Sequence, residues 1–296
     1  MAPTDVRAPA QPAAASDPSA SWPQTSDARA NNWSGMWRSV EGFFYPTVTL
    51  VVLLVLWEVG AVALHVPNYL LPQPSAVVRT AFNQFPYLWS NAGPTVQEIA
   101  LGFGLSVVVG IPIAVAIVSS RITERCVYPL LVASQTVPKV ALAPLLVVWF
   151  GFGPLPKVLI AFLIAFFPIV IDTAVGLRGV PPDMIDLAHS MGASRLSLFW
   201  KIRVMHALPN IFGGLKVAMT LAVIGAIVGE FVGTDRGLGY VLQTANGRLD
   251  TSMLFAAIFF LVIIGIVSFM LVDVVERIAI PWHVSMRKEP RGPADT

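Results

Sequence analysis

Six stretches of roughly 20 apolar residues, the length a bilayer core demands of a helix, constrain this chain more than any other feature. They run over 47–66, 98–118, 126–150, 157–177, within 207–232, and over 253–272. In hydrocarbon every backbone N–H and C=O must find its partner inside the chain, so such a stretch crosses as a helix. Composition agrees: 55% of residues are hydrophobic and 12% are charged, about half the charge of an ordinary soluble domain. The sequence predicts an all-α integral membrane protein with six transmembrane helices. A net charge of +2, with no basic run, gives no footprint for nucleic acid. Cys126 is the sole cysteine, so no intrachain disulfide can form.

Arginine and lysine set the orientation, because they collect on the cytoplasmic side. With the N-terminus inside, the inner segments hold Arg7, Arg29, Arg38, Arg121, Arg125, Arg178, Arg195, Lys201, Arg203, Arg277, Arg287, Lys288 and Arg291. The outer segments and their edges hold only Arg79, Lys157, Arg236 and Arg248. Both termini are therefore expected in the cytoplasm. Residues 1–35, rich in Pro, Ala and Ser, are expected to be a disordered tail. Trp33 and Trp37 suit an interfacial helix at its end. Residues 36–283 form the membrane domain and 284–296 a second cytoplasmic tail. The outer segments 67–93 and 234–251 read as loops, the second with a turn or re-entrant element at "GLG".

The largest inner loop, about 178–206, is unlike its surroundings. In "PPDMIDLAHSMGASRLSLFWKI", Met184, Leu187, Ala188 and Met191 recur at helical spacing and make a short apolar stripe. Gly192 breaks the pattern. Ser194 can cap a second helix, with Leu196, Phe199 and Trp200 expected on its buried side, and Pro181 and Pro182 suit the entrance of the first. Two short helices meeting at a glycine form a shape that fits a groove on a soluble partner.

This loop resembles the EAA signature of ATP-binding-cassette importer permeases. Asp186-Leu187-Ala188 stands for its small-acidic start, Gly192 for its glycine, Ile202 for the hydrophobic position and Leu208-Pro209 for the trailing Leu-Pro. Leu187 replaces the usual middle alanine, and Val204-Met205 fills the place of an earlier Leu-Pro. "LLPQPSAVV", "VPKVALAPLLVVWFGFG", "GEFVGTDRGLGYVLQTA" and "VERIAIPWH" resemble the branch handling nitrate, sulfonates, taurine and thiamine or pyrimidine precursors. The likeness spans about 67–283.

The resemblance implies a type I ABC importer permease with a two-helix cytoplasmic coupling loop, in a bacterial inner membrane and paired as a homodimer. A dimer of cassette ATPase subunits and a periplasmic substrate-binding protein would be its partners. ATP and Mg would sit on the ATPase, and this chain would bind no cofactor and catalyse nothing. The sequence fits that division: it holds no G-x-x-x-x-G-K-[ST] phosphate loop and no outer segment long enough to be a capture domain. Asp186, Leu187, Ala188, His189, Met191, Gly192, Ser194 and Arg195 would then couple to the ATPase.

Charge inside a span is costly and points to function. Pro138 and Lys139, in a proline-broken stretch, and Glu230 are the candidates for the translocation pathway, Lys139 attracting an anion. Asp172 and Lys216 are expected to snorkel to water, and Glu58 to pair with a neighbouring helix. Gly102, Gly104, Gly110 and Ala114 suit close helix packing. The alternative reading is a secondary transporter driven by an ion gradient, with Glu58 and Glu230 carrying protons. The histidines are scattered and suggest no metal site, and no nucleophile–base constellation suggests an enzyme.

Overall fold

The computed structural model describes residues 32–232 and 234–281. The N-terminal tail expected to be disordered, up to residue 31, and the expected C-terminal tail 284–296 lie outside the described residues. The chain divides after residue 55 into two units; apart from the course of α1, everything below concerns the second.

All regular structure among the described residues is helical. Helix α1 (Asn32–Ala63) is followed by α2 (Pro74–Asn83), α3 (Phe85–Ser119), α4 (Arg121–Gln135), a 3-10 turn (Lys139–Leu142), α5 (Ala143–Phe150) and α6 (Pro154–Arg178). After these come α7 (Pro182–Ser190), α8 (Arg195–Leu198), a π turn (Phe199–Val204), α9 (Met205–Glu230), α10 (Leu238–Gly247) and α11 (Thr251–Ala279).

Four helices are continuous and long enough to cross a bilayer: α3, α6, α9 with the turns that precede it, and α11. The expected third span is instead two helices, Ile122–Gln135 and Lys139–Phe150, bent by 85°. Pro138 is the cause, since it lacks an N–H and drives Val137 away from helical backbone. Pro129 lies inside α4 and Pro144 in the first turn of α5, where neither breaks the chain. The expected first span is represented by a shorter apolar run, Thr47–Ala63. The described residues thus hold four continuous spans, one bent pair and one shorter apolar run, where the sequence suggested six spans. The expected outer loop 67–93 is largely helical, because α2 occupies its middle and α3 starts at Phe85.

Burial ranks the helices. Half of the apolar stretch of α6 and of α9 is enclosed, against 28% for α3 and 22% for α11. The centre is therefore the α6–α9 pair, with α3 on one flank and α11 on the other. Ile99, Ala165, Ile169, Phe212, Ala218, Met219 and Ala222 join them in one cluster. Small residues let the backbones meet. A Cβ on Gly102 would stand 2.5 Å from the Cβ of Ala161, and one on Gly110 would stand 3.1 Å from Ile169. Gly104 faces open space, so it is no part of that packing.

Two charges near the spans find partners, one against expectation and one in line with it. Lys216 does not snorkel: its ammonium is paired with both Asp273 and Glu276 of α11, and Arg277 lies 2.7 Å from Asp273. Glu58 accepts hydrogen bonds from the amide (3.0 Å) and hydroxyl (2.7 Å) of Ser75, in the first turn of α2. That is the neighbouring-helix contact expected of it, at a helix end whose amides lack intrahelical acceptors.

Candidate functional site

The corner between α7 and α8 is built entirely from local chemistry. Pro182 opens α7, where its missing N–H costs nothing. The helix ends in a Schellman motif: the Gly192 amide donates to His189 O (2.9 Å) and the Ala193 amide to Ala188 O (3.0 Å). That motif needs a left-handed residue, and Gly192 has φ +74. Two residues on, the Ser194 hydroxyl accepts from the Ser197 amide and caps α8. The helices therefore meet at a fixed corner rather than a flexible loop.

The corner presents apolar side chains outward. Leu187 is 63% and Met191 78% exposed, with Met184 also exposed, while Ala188 at 7% anchors the corner to the protein beneath. Asp186, His189, Gly192, Ser194 and Arg195 are exposed around them. The eight residues assigned to coupling thus share one corner. Beyond Ser194 the expectation needs correction. Leu196 and Trp200 are exposed and Leu198 is the buried residue. Moreover, α8 runs through the π turn straight into α9, so the second helix is the first part of a span.

The other end of the same helices carries a polar assembly that the sequence reading did not find. The first amides of α10 have no intrahelical acceptors, and three side chains from elsewhere supply them. Asn91 Oδ1 accepts from Gly237 N (3.0 Å), Thr95 Oγ1 from Leu238 N (2.9 Å), and Glu230 Oε2 from Gly239 N. Thr95 also donates to Glu230 Oε1 at 2.6 Å. Gly237 has φ +112, and a Cβ there would collide with the Glu230 carboxyl. This explains the Gly237-Leu238-Gly239 run physically: the two glycines make room for Glu230 to clasp the start of α10. Glu230 is wholly buried in that clasp, rather than facing a cavity as a pathway residue would.

Next to the clasp, Lys157 Nζ of α6 lies 2.8 Å from Glu98 Oε1 of α3. Both are buried, Glu98 to 3% and Lys157 to 7% exposure. The ion pair borders a cavity of about 700 Å³, whose lining includes Gln97, Glu98, Phe152, Lys157, Asp235 and Arg236. Lys139, the other charged pathway candidate, sits elsewhere: its ammonium lies 4.5 Å from the ring centroid of Phe167, and Pro138 precedes it at the bend. Glu98 and Lys157 each marked only the edge of an apolar run, 59 residues apart. Charge at a span boundary was the one available signal.

The described helices thus carry an exposed apolar corner at one end and a polar cavity at the other. Residues 106–281 match the family described as the binding-protein-dependent transport system inner membrane component, and the chain belongs to it. It is an ABC transporter permease, a non-enzymatic, multi-pass membrane subunit. It is 40% identical over 239 residues to the formylaminopyrimidine transport permease protein ThiX of Halalkalibacterium halodurans, covering 80% of this chain and 95% of that one. It is 36% identical to the riboflavin transport system permease protein RibX of Chloroflexus aurantiacus, over 84% and 95% of the two chains. With the taurine transport system permease protein TauC of Escherichia coli it shares 29%, over 79% and 88%. Its fold matches a chain of the inward-facing MetNI methionine ABC transporter with a TM-score of 0.56, at 19% identity, over 64% and 95% of the chains.

Proposed function

We propose that this chain is the permease of an ATP-driven importer that moves a small polar organic solute from periplasm to cytoplasm. Two copies form the pore, both termini lie in the cytoplasm, and a cassette ATPase dimer holds the α7–α8 corners. A periplasmic binding protein delivers the solute. ATP and Mg belong to the ATPase subunits, and this chain adds no cofactor.

The observation that carries the reading is the exposed apolar corner at Gly192. Leu187 and Met191 stand in water on a rigid turn, and an apolar surface held that way marks a docking site. Asp186, His189 and Arg195 surround it with groups that can fix the register of a partner. ATP binding can shift the permease only through contacts that differ between its two states, and this corner offers such contacts. The relatives named for formylaminopyrimidine and riboflavin, both at 36–40% identity, favour a vitamin precursor over nitrate or sulfonate.

The test is retention of the cassette ATPase on the detergent-solubilised chain, wild type against Gly192→Glu. The space around Gly192 is open, so the bulky charge leaves the membrane core intact; at φ +74 it also strains the turn, so the variant disrupts the corner itself together with what docks on it. Loss of the ATPase from the variant is expected. Equal retention would place the docking surface elsewhere.

A further inference from the structure

We propose that the cavity beside the Glu98–Lys157 pair is the solute's first site on this chain, and that it selects uncharged solutes bearing N–H donors over anions. The proposal rests on the importer reading and names its substrate class. It begins with chain direction. Helix α6 enters at this cavity and leaves at the corner, and its 25 residues span roughly 37 Å. The cavity therefore opens at the end of the bundle opposite the ATPase, where an incoming solute arrives.

The charges of the lining come in pairs. Glu98 is balanced by Lys157, and Asp235 is followed by Arg236 at the rim. Behind the lining stands a third carboxyl, that of Glu230, with no further basic group among the six lining residues named above. An anion entering here meets no surplus of positive charge, in contrast to the expectation that placed Lys139 on its route. A neutral solute has no such cost.

The pair also has unused hydrogen-bonding capacity. Glu98 Oε2 is enclosed and has no hydrogen-bond partner among the described residues. A buried acceptor left this way is expensive; it is closed off in this conformation, and a donor from a solute satisfies it once the lining opens around Glu98. An ammonium has three donors, and Lys157 directs one at Glu98. Acceptor and donors thus lie side by side, as a ring carrying both N–H and ring nitrogen requires. Phe152, exposed at the cavity wall, offers an apolar face for such a ring, and Gln97 an amide. A volume of about 700 Å³ is within the usual range for a small-molecule site.

The experiment is uptake by cells carrying the intact importer, with labelled formylaminopyrimidine, zwitterionic taurine and anionic nitrate as probes. It compares wild type, Glu98→Gln and the double variant Glu98→Gln/Lys157→Met. Removing one member leaves a buried charge unpaired and threatens folding, whereas replacing both with neutral groups is generally tolerated. The double variant therefore separates a brace from a site. Expected is pyrimidine uptake by wild type in preference to taurine and nitrate. In the double variant that uptake falls roughly tenfold or more, while membrane level and ATPase retention stay at wild-type values. Preference for nitrate or taurine, uptake of none of the probes, or full pyrimidine uptake by the double variant overturns the proposal. Loss of ATPase retention by wild type would instead sink the importer reading itself.

Discussion

Replacing Thr95 by Val tests the clasp at the start of α10. The substitution keeps the shape of the side chain, and Thr95 is wholly buried, so packing changes little. Two interactions vanish. The hydroxyl no longer donates to Glu230 Oε1 at 2.6 Å, and it no longer accepts from Leu238 N at 2.9 Å. The first loss is worth about 1 kcal/mol, and a buried amide left without an acceptor costs about 1–3 kcal/mol more. A total near 3 kcal/mol corresponds to a roughly hundredfold larger population of the opened turn. Hydrogen exchange of the peptide covering residues 234–247, measured on the purified chain, reads that opening directly. Thr95→Ser is the control, because it keeps the hydroxyl and loses only a methyl group, about 0.8 kcal/mol. Exchange in Thr95→Val within threefold of wild type, or equal acceleration in both variants, would mean that the hydroxyl does not hold α10.

Two further substitutions probe packing and surface charge. Gly102→Val forces a side chain into Ala161 and Val158, since a Cβ there already stands 2.5 Å from Ala161 and 3.1 Å from the Val158 carbonyl. A loss of about 1–3 kcal/mol is expected, seen as a reduced monodisperse fraction in size-exclusion chromatography, while Gly104→Ala, with nothing nearby, leaves the profile unchanged. Glu124→Gln removes an ion pair with Arg178 (3.0 Å) whose side chains are 42% and 37% exposed; thermal unfolding should register less than about 1 kcal/mol.

What could be read from the sequence was whatever is local. The apolar runs located the four continuous spans, since length and hydropathy are properties of each segment alone. The Gly192 corner was equally legible, because glycine, the Ser194 cap and the preceding stripe lie within a dozen residues. The 85° bend was signalled by Pro138 but not resolved, for a proline can kink a span or end it, and only the neighbours decide. The α10 clasp was out of reach. It joins Asn91 and Thr95 to residues more than 140 positions away, and hydropathy records no such pairing. The Glu98–Lys157 pair escaped for the same reason, and Glu230, singled out as a charge in a span, proved to be a capping group.

The packing of α6 on α9 bears on how the two ends could be linked. Close approaches recur along their whole length. A Cβ on Gly176 would meet Ala207 and Asn210, one on Gly214 would meet Asp172 and Pro168, one on Gly225 Ala161, and one on Gly229 Lys157. Backbones this close at four levels leave no room for one helix to slide past the other without separating. The pair therefore behaves as a single stiff rod, since packed interiors do not deform continuously. Its one end adjoins the Gly192 corner through Arg178 and Met205, and its other end supplies Lys157 and Glu230. A pull on the corner then tilts the rod as a whole. Helix α3 lines the rod along its length, at Gly102 against Ala161 and Gly110 against Ile169, and the Lys157–Glu98 pair is the contact at its far end.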